Sequence, residues 1–121
     1  METGLLQLLD SLAKRPQVYV ASPVSYATVK SYLKGLAEGL RLTGIEYSWD
    51  DYHAAAEDRG WDPRGNIGIL RDFMKRGLTD EQIVREMIAV ETAAYARTLN
   101  RANTITSTRD PSNGELKERL Q

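Results

Sequence analysis

Residues 78–102, LTDEQIVREMIAVETAAYARTLNRA, run without a single glycine or proline. No other stretch limits the fold as much. Thr79 and Gln82 have the spacing of a capping box, and Leu78 and Ile83 that of a hydrophobic staple. Asp80 and Glu81 fall in the first turn and Arg97 and Arg101 near the end, as the helix macrodipole prefers. Ile83, Met87, Val90 and Ala94 then mark an apolar stripe at helical spacing. A helix this long must bury that stripe against other elements, and the rest of the chain offers helices to do it.

Leu5, Leu8, Leu9 and Leu12 recur at i, i+3, i+4 and i+7, which predicts a helix over 4–14, with Thr3 as its cap and Pro16 as its end. Ser22 and Pro23 have the types expected at an N-cap and N1, and Tyr26, Val29, Leu33, Leu36 and Leu40 carry a second helix to Gly44. Ser48-Trp49-Asp50-Asp51 opens a short third helix that Gly60 closes. Asp62-Pro63 is the expected cap of a fourth, with Ile67, Leu70 and Met74 as its stripe and Gly77 as its stop. Val18–Pro23 reads as a connector between two antiparallel helices, with Val18 and Val20 plugging the core, and a minor alternative pairs Val18–Val20 with Ile105–Thr108 as two strands. The expected fold is all-α: a compact bundle of four to five helices. One domain covers 1–102. Residues 103–121 are a polar, turn-rich tail expected to be poorly ordered, with GELKERL as a last helical turn.

Composition removes several function classes. The chain has 121 residues, 41% hydrophobic and 27% charged, which suits one globular domain. The net charge of −1 gives no general attraction to nucleic acid or anionic membrane. There is no cysteine, so disulfides, thiolate metal sites and a cysteine nucleophile are excluded. No apolar run reaches membrane-spanning length, and the amphipathic start has the wrong charge order for a signal peptide. A cytoplasmic location is therefore expected.

The most chemically loaded window is residues 46–62, EYSWDDYHAAAEDRGWD, which holds six carboxylates, one arginine, two tyrosines and two tryptophans. Trp49 and Trp61 suit either a core or a surface role. The acids cannot all be buried. Tyr47, Trp49, Asp50, Asp51, Tyr52, Glu57 and Asp58 are the candidate partner-binding residues, aimed at a basic protein surface such as that of a toxin. Asp50, His53 and Glu57 share a helix face. This supports a second alternative, a metal-dependent enzyme centred on His53. Glu91 sits in the stripe between Met87 and Tyr95; inside a core it needs an Arg or Tyr partner, and a rim position is expected. Tyr26, Tyr32, Ala93, Ala94 and Ala96 are candidates for a homodimer interface. No motif requires a cofactor, and no metal site is expected.

Three stretches resemble known families. AKRPQVYV resembles the start of gyrase-type ATPase domains, but the Glu/Asn helix and Asp-x-Gly-x-Gly loop of that family do not occur here. Arg15, Pro16 and Tyr19, followed by an amphipathic helix and by Trp49, Tyr52 and Trp61, resemble small bacterial helical proteins with an Arg-Pro-x-x-Tyr turn, some of them immunity-like. Gln17-Val18 departs from the usual turn of that class. GLTDEQIVREM is similar to the first helix of the helix-turn-helix in response-regulator DNA-binding domains, and Ile88-Ala89 stands where that family keeps its turn glycine. That resemblance implies a DNA-binding alternative over residues 79–101, with Arg97, Asn100 and Arg101 reaching nucleic acid and Arg71, Lys75, Arg76 and Arg85 on phosphates. The primary expectation is a non-enzymatic protein–protein interaction module of immunity, inhibitor or accessory type.

Overall fold

The computed structural model describes residues 2–65 and 68–109. Among them are six helices and no strand: α1 (Glu2–Lys14), α2 (Pro16–Tyr19), α3 (Tyr26–Leu42), α4 (Trp49–Asp58), α5 (Ile69–Lys75) and α6 (Asp80–Arg109). The all-α bundle is as expected, with one helix added. No helix among the described residues is long and apolar enough to cross a membrane.

The long helix is the axis of the bundle. α6 runs unbroken through Ile88-Ala89, because nothing there favours a turn over the helical hydrogen bonds. Its start is the expected capping box: the Thr79 N–H donates to Gln82 Oε1 at 2.8 Å, and the Gln82 N–H to Thr79 Oγ1 at 3.2 Å. Ile83, Val84, Met87, Ile88, Val90, Ala94, Tyr95 and Leu99 are all buried, an arc of about half the helix circumference rather than a narrow stripe. The width follows from having several neighbours. α1 packs on this helix with Leu5, Leu9 and Leu12, α4 with Ala55 and Ala56, and α3 with Val29 and Leu33. Each fully buried leucine contributes about 2 kcal/mol from water exclusion, which is what holds α1 in place.

Several local expectations are corrected. α1 already includes Glu2, so Thr3 lies inside it. Pro16 starts a one-turn helix, α2, because its missing N–H is harmless at N1; Val18 on that turn is exposed rather than core. The Ser22–Pro23 peptide is cis, and α3 is capped three residues later by Ser25. Ser25 wins because Thr28 is at N3: its hydroxyl accepts from the Ser25 N–H at 2.9 Å and completes the box. α5 begins at Ile69, not at Asp62-Pro63, and buries Phe73 while Met74 faces solvent. Residues 103–109 continue α6, which rules out a strand at Ile105–Thr108. Ile67 and residues 110–121, GELKERL included, lie outside the described residues.

Candidate functional site

The acidic window divides between inside and outside. Ser48 caps α4, and Asp51, at N3, completes the box by accepting the Ser48 N–H. The same carboxylate turns into the seam with α6 and is 1% exposed. There Arg101 Nη1 donates to Asp51 Oδ1 at 2.7 Å, Arg101 Nη2 donates to Oδ2, and the Thr98 hydroxyl donates to Oδ2 at 2.6 Å. Arg97 stands at 3.8 Å from Asp51 and 3.7 Å from Asp58. The Arg101 guanidinium holds the Asp51 carboxyl well below the usual carboxylate range, with Thr98 and the Ser48 amide adding to it and burial opposing. Asp51 is thus corrected from partner contact to structural anchor, and its anchoring engages Arg101 and Arg97, two of the cations assigned to the DNA-binding alternative. Arg76 and Arg85 are likewise engaged, on Asp72 and Glu81. Asn100 lies exposed on α6.

The two indoles also part ways. Trp61 packs edge-on against Phe73 at 4.8 Å, lies under the Arg76 guanidinium at 4.7 Å and donates its Nε1–H to Glu86 at 3.0 Å. Trp49 is 66% exposed. Its ring stacks on Tyr52 at 5.6 Å and 10°, and Tyr52 stacks on Tyr47 at 5.8 Å and 22°. Tyr95 closes the ladder edge-on to Tyr47 at 4.9 Å. On the outer side of α4, Trp49, Asp50, His53 and Glu57 fall within an arc of about 100°, given 100° per residue. Asp50, Glu57 and Asp58 are exposed, whereas Tyr47 and Tyr52 are partly buried. The His53 imidazole rests under Trp49 at 4.6 Å, and its buried Nε2 has no hydrogen-bond partner among the described residues. Among the described residues no group of three His, Asp or Glu side chains able to hold a metal gathers there, so Asp50, His53 and Glu57 share a face without converging.

Behind the ladder lies a cavity of about 360 Å³. α3 lines it with Tyr26, Lys30, Leu33 and Lys34, the aromatic ladder with Tyr47, Trp49 and Tyr52, and α6 with Met87 and Glu91. Glu91 lies in the middle of the buried arc of α6, not on the rim, and the Tyr47 hydroxyl donates to its Oε2 at 2.7 Å. Burial pushes its carboxyl up to about 7, with the Tyr47 hydrogen bond opposing. The same burial, with Glu91 nearby, raises Tyr47 and moves Tyr52 and Tyr95 to about 12. Sequence reasoning did not single out Lys30 or Lys34, whose i, i+4 spacing looks like any solvated helix face. For Glu91 a signal existed: Val84, Ile88 and Leu99 widen the apolar arc until it encloses that position.

A second depression is lined by Asp62, Arg64, Arg71, Asp72 and Lys75, and the Arg64–Asp62 and Arg76–Asp72 pairs engage both of its acids. The small and aromatic residues considered for a dimer are partly used inside the fold: Ala94 is buried and Tyr32 packs on Tyr19 at 6.2 Å. Comparison of this chain with family models, with curated proteins and with solved structures found no match.

Proposed function

We propose that the protein is a non-enzymatic binding module that holds a protein partner with a basic surface, in the manner of an inhibitor or accessory protein. The outer face of α4 is the contact. The observation that carries this reading is Trp49, an indole two-thirds exposed yet fixed by stacking on Tyr52 and His53. An exposed aromatic ring that has already lost its rotational freedom makes a low-cost anchor for a partner. Asp50 and Glu57 flank it on the same face, and neither is neutralised by an ion pair among the described residues. Their charges supply complementarity to lysines or arginines across the interface. Asp51 and Asp58, which face the α6 arginines, are left out of the contact.

The test is the double substitution Asp50→Lys with Glu57→Lys. Both positions are exposed, so the melting transition should stay where it is. Capture of a basic partner by the immobilised chain from an extract of the producing cells should be lost, and so should capture by Trp49→Ala. Recovery of the same partner by the charge-reversed variant would remove this face from consideration. Failure of the native chain to capture any basic protein would remove the reading itself.

A further inference from the structure

We propose that the cavity behind the aromatic ladder binds a planar nitrogen heterocycle carrying an anionic group, the chemistry shared by nucleoside monophosphates and by heteroaromatic carboxylates. Three features of the cavity, each from a different part of the chain, impose three requirements on an occupant.

The first is flatness. Trp49, Tyr52 and Tyr47 form a continuous stack with near-parallel planes, and both ends of it line the cavity. The aromatic surface that these three rings give to the cavity takes a flat ring by edge or offset contact and is indifferent to which ring it is. Leu33 and Met87 line the same cavity and give an occupant apolar surface to exclude water from.

The second is a polar edge on the ring. Among the described residues, the only hydrogen bond to Glu91 comes from Tyr47 and goes to Oε2, which leaves Oε1 for a ligand. A carboxyl at an otherwise apolar floor disfavours a pure hydrocarbon, because the group would be desolvated without compensation. It favours a ring N–H that donates to Oε1. When protonated it also offers its own O–H, which matches the adjacent donor and acceptor of a heterocycle edge.

The third is negative charge at the entrance. Lys30 and Lys34 lie one turn apart on α3 and both line the cavity. The Lys30 ammonium donates to the Tyr26 hydroxyl at 2.9 Å, so one of the two charges is pre-positioned. Two ammonium groups repel a cationic ligand and attract a phosphate or carboxylate. A volume of about 360 Å³ lies within the range of small-molecule sites and suits a single ring system with its charged substituent. Trp49 is common to this cavity and to the outer face of α4, whereas Asp50 and Glu57 do not line the cavity, so charge reversal at those two residues separates this proposal from protein binding.

Trp49 is the natural reporter. In a Trp61→Phe background it is the only indole, and its emission is followed while each of the four ribonucleoside monophosphates, guanosine, inorganic phosphate and nicotinate is added. Saturable quenching by at least one monophosphate or by nicotinate is expected, with no response to phosphate alone. If a nucleotide is the ligand, guanosine should bind at least about tenfold more weakly than its monophosphate, a loss expected when one charged contact is removed. Glu91→Ala, and Lys30→Ala with Lys34→Ala, should each weaken binding by at least about tenfold, whereas Asp50→Lys with Glu57→Lys should leave it unchanged. Binding by nicotinate and not by nucleotides would identify the ring carboxylate as the source. The proposal is overturned if neither class gives a saturable response up to about 10 mM, the weak limit of specific recognition, or if the response survives both sets of cavity substitutions. Should Trp61→Phe fail to fold, the same additions to the native chain by titration calorimetry decide between these outcomes.

Discussion

Two carboxyl groups sit against α6, about two and a half turns apart, and the protein treats them in opposite ways. Asp51 arrives from the first turn of α4 and meets Arg101 and Thr98. Glu91 belongs to α6 itself and meets one phenol, Tyr47. Cations keep the first group ionised below its ordinary range; burial without cations drives the second towards neutrality. Both are withdrawn from water, so burial alone does not decide the charge state. What decides it is whether the neighbouring helix presents guanidinium groups or aromatic rings. The Asp51 end of the seam is built to lock two helices together. The Glu91 end is left with a cavity, an open carboxyl oxygen and two lysines, which is an arrangement for something that comes and goes.

The sharpest way to break this contrast is to remove the locked charge. Asp51→Asn keeps the size of the side chain and an oxygen for the Ser48 amide, but leaves Arg101 without its counterion. Because the arginine is about half exposed and regains water, the loss should fall near the lower end of the range for a broken buried pair, about 2–3 kcal/mol at pH 7 by urea unfolding. The native carboxyl is depressed, so its stabilisation is present above the unfolded value of 3.8 and is lost as pH falls below it. The two proteins should therefore converge in stability in strong acid. A variant as stable as the native chain at pH 7 would mean that the seam is held by packing alone.

Glu91 predicts the opposite sign. Its folded value of about 7 lies above the ordinary 4.5, so its favourable contribution is complete below pH 4.5 and is lost as pH rises to 7 and beyond. The span is worth at most about 3 kcal/mol. Glu91→Gln, which still accepts from Tyr47, should be neutral near pH 4.5 and stabilising by about 2 kcal/mol at pH 8. Urea midpoints for both proteins across this window check it. Parallel curves would show that the carboxyl is better solvated than its surroundings imply.

The difference between these two residues also explains what was legible in the sequence. The helix boundaries that follow from neighbours in the chain were readable: the Thr79–Gln82 box, Ser48 as a cap, and the ends at Gly44, Gly60 and Gly77, all of which adopt positive φ. Ser25 was missed in favour of Ser22 because the choice turns on Thr28, a partner three residues further on. Asp51 read as one acid among six, and its Ser-x-x-Asp spacing is a capping-box signal that went unused. Its inward turn could not be read locally, since it depends on Arg101, fifty residues away in the chain. The acidic aromatic window stands out in the sequence by composition, but not its division: Tyr47 and Tyr52 face Glu91, while Trp49 is two-thirds exposed. A surface and a cavity share one stretch of sequence, and only the position of α6 separates them.

A pair of smaller changes sharpens the comparison by deleting one hydroxyl at each site. Thr98→Val preserves shape and removes the neutral donor to Asp51, which retains both Arg101 bonds. The expected cost is that of one hydrogen bond, about 1 kcal/mol, with Asp51 still strongly depressed. Tyr47→Phe preserves the ring stack and removes the hydrogen bond from Tyr47 to the Glu91 carboxyl. That bond favours the ionised carboxylate, so its loss should move the Glu91 titration above 7, read from the pH dependence of its carboxyl carbon by NMR. The stability change at pH 5, where the group is neutral with or without Tyr47, should stay within about 1 kcal/mol. The two deletions thus differ in kind: the first changes how firmly the helices are joined and leaves the charge state alone, the second changes the charge state and leaves the join alone. An unmoved Glu91 titration in Tyr47→Phe would mean that solvent in the cavity, rather than the phenol, sets its proton affinity.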